Sequence, residues 1–169
     1  MSNLLGLEEA KQNVGSGIAY SDLGPDPEDA ARAKSGANWF YWIAGLSVVN
    51  SVIFVLGSDV AFLAGLGITQ LMDAIINLSI KQGAPDLLKI VAVVFDFVVV
   101  VIFALFGYFA GRRFAAAFII GIALYFFDGL LSLLLGAYLT AGFHVLALFY
   151  MIRGFLACRK LNSHATATA

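Results

Sequence analysis

Four ionisable residues stand inside long apolar stretches of the chain, Asp96, Asp128, His144 and Arg153, and a further one, Asp73, stands in a stretch of mixed character. A charged side chain in hydrocarbon must be neutralised, paired or hydrated, so each is a candidate for binding a ligand or moving a proton. Asp96 precedes the Arg112-Arg113 pair by about 16 residues and Asp128 follows it by about 16. If that pair is the turn between two helices, each rising about 1.5 Å per residue, the two carboxyls lie at nearly the same depth. Two close carboxylates in a low dielectric do not both stay ionised cheaply, so a proton shared between Asp96 and Asp128 is expected.

Asn50 joins them by the same arithmetic. It lies about seven residues from the outer end of its segment and the aspartates about eight from theirs, which puts all three about 10 to 12 Å below one surface. His144 is expected about 6 Å shallower. Gly121, Asp128 and Ser132 share one helical stripe, and Ser47, Asn50 and Ser51 share another, as faces turned toward neighbouring helices should. The expected site is therefore Asn50, Asp96, Asp128 and His144, with Asp73 if its segment is inserted, holding a proton, a cation or a small polar ligand. Arg153 either snorkels to the nearer end of its segment or pairs with Asp128, offset by about 7 Å in depth. A plainer reading stands beside this one: such residues often only hydrogen-bond an adjacent helix, contributing about 0.6 kcal/mol each. His144 has the same choice between a simple hydrogen bond and a relay.

These residues must be positioned by elements suited to lipid. The chain has 169 residues, 61% hydrophobic and 12% charged, and that charge content is roughly half the soluble norm of about 25%. With a mean hydropathy of +0.91, the apolar surface exceeds what a soluble domain of this length hides. Four segments, near 38 to 57, 88 to 110, 114 to 136 and 140 to 158, are long enough to cross about 30 Å of hydrocarbon, which takes about 20 helical residues. The valine run from Val91 to Val101 would suit a buried strand in water, but a lone strand in lipid leaves its backbone unpaired, and length decides for helix. The segment 61 to 80 is ambiguous. Its Gln70, Asp73, Asn77 and Lys81 form one polar stripe, and an aspartate at a helix centre costs about 2.5 to 3.5 kcal/mol on insertion scales. It reads as an interfacial, re-entrant or fifth spanning helix.

Basic residues bear on that choice. If 61 to 80 does not cross, Lys11, Arg32, Lys34, Arg112, Arg113, Arg159 and Lys160 share one side and Lys81 and Lys89 the other; if it crosses, the bias collapses to five against four. The positive-inside rule favours the first arrangement with a cytoplasmic N-terminus. Trp39, Phe40, Tyr41 and Trp42 then form an aromatic belt at the inner edge of the first span. The expected fold is an all-α polytopic integral membrane bundle of four transmembrane helices plus one marginal helix, in a plasma membrane, the bacterial inner membrane. Gly107 and Gly111 form a GxxxG, and Ala117 with Gly121 a small-xxx-small pair, spacings that suit close packing within the 88 to 136 hairpin.

Residues 1 to 36 read as an acidic, water-facing arm, 37 to 161 as the bundle and 162 to 169 as a disordered Ser/Thr/Ala tail. In the arm, Asp26, Pro27, Glu28 and Asp29 read as an N-cap, a proline at N1 and acids in the first turn of a helix that runs to Lys34 and breaks at Ser35-Gly36.

The inventory excludes several classes. A formal net charge of -1 offers no basic face for nucleic acid. Cys158 is the single cysteine, so no intrachain disulfide forms. There is no HExxH or CxxC motif, no phosphate loop and no GxSxG elbow, so no metal or cofactor is expected. The best functional expectation is a transport-related or accessory, scaffold-type subunit whose partners are the bilayer and other membrane subunits or a second copy. The alternative is a membrane enzyme or redox accessory acting on a lipid or quinone, with the carboxyls as general acid and base.

Overall fold

A computed structural model describes residues 26–56 and 66–167. Most of the acidic arm, and the first residues of the 61 to 80 segment, lie outside these. Among the described residues there are five helices: α1 (Pro27–Val55), α2 (Gly67–Lys81), α3 (Leu88–Gly111), α4 (Ala115–Leu134) and α5 (Tyr138–Ala167). Four of them, α1, α3, α4 and α5, are long and apolar enough to cross a membrane. At most a third of the most apolar stretch of each is buried inside the fold. The remainder is an outward face of Val, Leu, Ile and Phe, which needs an apolar solvent and suggests a membrane protein. The described α2 has 15 residues, about 22 Å at 1.5 Å per residue, short of about 30 Å.

The start of α1 follows its sequence signals: Pro27 occupies the first turn, and the Asp26 carboxylate accepts from the Glu28 amide at 2.9 Å. The expected break at Ser35-Gly36 does not occur. Gly36 is a packing glycine: a Cβ there would lie 2.6 Å from the Cα of Gly154 on α5, so α1 and α5 cross with their backbones in direct contact. The GxxxG expectation is corrected in the same way. The Cβ position of Gly107 faces the Tyr41 ring, that of Gly121 faces the Phe40 ring, and that of Gly111 meets nothing within 4 Å. Gly107 thus admits an aromatic residue of α1, and Gly121 admits both Phe40 of α1 and Phe106 of α3, 3.3 Å from its Cβ position, so the close approach is of rings to backbone and not of the α3 and α4 backbones to each other.

Around the bundle, α1 packs most extensively on α3 and α5, and α4 on α5, while α2 lies against α3 and α4. Phe40, Phe103, Phe118, Tyr125 and Met151 fill the centre. The start of α1, the α3–α4 turn and the end of α5 share one end. Lys160 pairs with Asp29 at 3.6 Å, and the Asn162 amide donates to the carbonyl of Arg113 at 3.0 Å. α5 is helical through Ala167, past residue 162, where a disordered tail is expected.

Candidate functional site

Apart from Asp29, which pairs with Lys160 at the other end of the bundle, the buried polar residues fall into two groups joined by α2. The first is built on Asp128, which α4 presents on the same face as Tyr125 and Ser132, all of them buried. Its carboxylate accepts from the amides of Gly67 at 2.7 Å and Ile68 at 2.8 Å, so a residue of α4 caps the N-terminus of α2. Leu66, the formal cap residue, has no side chain suited to this, and an anion at a helix N-terminus is favoured by the orphan amides and the helix dipole. Gly67 is needed for the approach, because a Cβ there would run into the hydroxyl of Ser132.

His144 completes the group. Its Nε2 lies 2.8 Å from Asp128 Oδ2 and its Nδ1 lies 2.8 Å from the carbonyl oxygen of Thr140. A carbonyl only accepts, so Nδ1 carries a hydrogen. The short Nε2–Oδ2 contact then requires one proton between imidazole and carboxylate, whichever of the two holds it. Tyr125 stacks on the imidazole with centroids 4.3 Å apart. Gly129 lets the ring lie against α4, with its Cβ position 3.0 Å from His144 Cβ.

The second group lies between α1 and α3. Ser51 Oγ is 2.6 Å from Asp96 Oδ2 and 3.1 Å from the carbonyl oxygen of Ser47. The hydroxyl has one hydrogen and faces two acceptors. With Asp96 ionised, that one hydrogen is shared between the two acceptors; a proton on Asp96 would let the acid donate to Ser51 and free the hydroxyl hydrogen for Ser47. Asp96 is 1% exposed and Asn50 7%. Asp96 Oδ1, both polar atoms of the Asn50 amide, the hydroxyl of Ser47 and Asp73 Oδ1 are buried without a hydrogen-bond partner. Asp73 lies within electrostatic reach of Asp96. It stands six residues beyond Gly67 on α2, about 9 Å along the axis, so α2 leads from one group to the other.

The structure thus brings Asn50's neighbour Ser51 to Asp96, and His144 to Asp128. It does not join the two aspartates by a shared proton. Equal depth in a hairpin is not contact: α3 turns its polar face to α1, whereas α4 turns its own to α5 and α2. Arg153 is not the partner of Asp128 either. It is exposed, and its guanidinium lies over the Phe149 ring at 5.5 Å, away from the carboxyl that His144 already engages.

Sequence reasoning missed Gly67, Ile68, Thr140 and Gly129, which act through backbone or through lack of a side chain. It also kept His144 apart from Asp128. A signal for that pair was present, since Gly136, at φ 76°, turns the chain between α4 and α5, and the two residues stand eight positions on either side of it.

Beside Asp128 a cavity of about 330 Å³ opens between α2, α3 and α4, with apolar walls from Leu66, Val99, Phe103, Leu124 and Leu131. Among the described residues no group of three or more His, Cys, Asp or Glu side chains is arranged to hold a metal. Compared with protein-family models, with curated proteins and with solved structures, the chain finds no match.

Proposed function

We propose that this chain is a small multi-pass integral membrane protein that binds and hands on protons at its two buried carboxyl groups, as a transport-related or accessory subunit. In this reading α1, α3, α4 and α5 cross the bilayer and α2 is only partly inserted. The start of α1 and the end of α5 then share a side with Arg32, Lys34, Arg112, Arg113, Arg159 and Lys160. The positive-inside rule favours that side as the cytoplasm, and the membrane in this reading is a bacterial inner membrane.

The observation that carries the reading is the set of unpartnered atoms around Asp96. A contact that served only to hold helices together would satisfy its own donors and acceptors, because each buried orphan costs about 1 to 3 kcal/mol. A group that gains and loses a proton needs spare donors and acceptors nearby to follow the change, and Asn50, Ser47 and Asp73 supply them. Asp96, Asp73 and the Asp128–His144 pair form a series of proton-holding groups along α2. The bilayer is the first partner, and other membrane subunits or a second copy are the protein partners this role implies.

Proteoliposomes carrying a pH gradient and an internal pH dye test the proposal. Asp96→Asn and Asp128→Asn are each expected to abolish proton movement while the variants stay folded by tryptophan fluorescence. Unchanged flux in both removes the idea. The apolar cavity beside Asp128 favours one second reading, an enzyme or redox accessory acting on a lipid or quinone. That reading requires such a molecule to copurify with the chain and its turnover to fall in the same two variants.

A further inference from the structure

About 24 Å along α1 from Asn50, at the end of the bundle that holds the α3–α4 turn, a second cavity of about 330 Å³ lies between α1 and α3. Its lining includes Lys34, Asn38, Tyr41, Gly107, Tyr108 and Arg113, two cations and three polar side chains with no acid. The nearby acids are engaged elsewhere: Glu28 pairs with Arg32 at 2.7 Å, and Asp29 lies 3.7 Å from Arg32 and 3.6 Å from Lys160. Neither Lys34 nor Arg113 forms an ion pair among the described residues.

The cavity is also held in shape. Gly107 allows the Tyr41 ring to rest on α3, its Cβ position being 2.9 Å from the ring. Arg113 has a φ of 65°, a left-handed conformation that costs a non-glycine residue about 1 to 2 kcal/mol. The conformation is fixed by α5, since the Arg113 carbonyl accepts from Asn162 at 3.0 Å and from the Cys158 thiol at 3.4 Å. Tyr41 is itself an exposed lining residue, and the exposed Trp42 and Phe109 are the chain neighbours of the lining residues Tyr41 and Tyr108, side chains that suit the level of lipid headgroups and the first acyl carbons.

We propose that this cavity binds the phosphate of an anionic phospholipid headgroup. Lys34 and Arg113 meet the phosphate, Asn38 offers a hydrogen bond to the headgroup hydroxyls, and the acyl chains lie along the apolar rim. Basic pockets between membrane helices at the headgroup level take this class of ligand, and the apolar rim favours a lipid over a free anion.

Native mass spectrometry of the full chain with phosphatidylglycerol and phosphatidylcholine tests the site. The unaltered chain is expected to retain the anionic lipid at least about ten-fold better than the zwitterionic one, and the double variant Lys34→Gln with Arg113→Gln to lose that preference. Arg159→Gln removes the same charge at the same end of the bundle, from a guanidinium that lies over Phe155 and not in the cavity lining, and is expected to keep the preference within about two-fold. Lys34→Gln alone leaves the strained turn untouched and is expected to lose about five-fold, which keeps the test valid if the double variant does not fold. Equal retention of both lipids by the unaltered chain overturns the proposal, as does an equal loss in Arg159→Gln. Displacement of the lipid by millimolar inorganic phosphate assigns the cavity to a free anion and overturns the lipid assignment.

Discussion

Replacing Asp128 by asparagine changes one oxygen into a nitrogen, and the structure says what that does. Asp128 Oδ1 accepts from Ile68 at 2.8 Å, and Oδ2 accepts from Gly67 at 2.7 Å while meeting His144 at 2.8 Å. An asparagine in the same rotamer keeps its oxygen on Ile68 and donates an amide hydrogen to the Nε2 of a neutral His144, whose Nδ1 hydrogen stays on Thr140. The Gly67 amide then faces a second donor and loses its acceptor. One orphaned buried amide costs about 1 to 3 kcal/mol, and loss of the anion at the N-terminus of α2 adds about 0.3 to 1 kcal/mol. Taking the first figure as the local opening free energy, the Gly67 amide should exchange with deuterium about 5- to 150-fold faster. Hydrogen exchange in detergent micelles, read residue by residue, is the assay. Amides in the middle of α4 and α5 should keep their rates. An unchanged Gly67 amide would refute the capping role, and a uniform rise along all helices would show that Asp128 supports the whole bundle instead.

Other predictions follow from the same geometry. Gly36→Ala should destabilise the fold by about 1 to 3 kcal/mol in denaturant titrations, because its Cβ meets the Gly154 backbone, whereas Gly45→Ala, with nothing within 4 Å, should be neutral or stabilising by up to about 1 kcal/mol. Gly67→Ala should speed exchange of the same α2 amides as Asp128→Asn, and adding Ser132→Ala should partly restore protection, since the Ser132 hydroxyl is the atom displaced and has no partner to lose. Asn50→Leu should leave stability unchanged or higher, because it removes an unpartnered amide, yet abolish proton movement in proteoliposomes. Arg153→Gln should leave that movement intact.

The fold was legible where single residues carry strong physics. Asp26-Pro27 marked the start of α1, and the four long apolar segments marked four helices, because length and hydropathy act locally. What was not legible depends on which faces meet. Gly36 looks like a helix breaker until Gly154 is seen against it, and Gly107 looks like half of a helix-crossing motif until Tyr41 is seen lying on it. The depth arithmetic about Arg112 placed Asp96 and Asp128 level with each other but said nothing of the direction each side chain takes. The same arithmetic about Gly136 would have placed His144 level with Asp128, which is the pair that forms. The cap on α2 was invisible because its donors, Gly67 and Ile68, contribute only backbone amides.

The proposed proton path turns on Asp96 holding a proton beside Ser51. Infrared difference spectroscopy of the chain in lipid, with and without deuterium exchange, reads this directly through the carbonyl stretch of a protonated carboxylic acid. A protonated-acid band at neutral pH that disappears in Asp96→Asn is the predicted result. A spectrum without that band, or one that Asp96→Asn leaves unaltered, would contradict it.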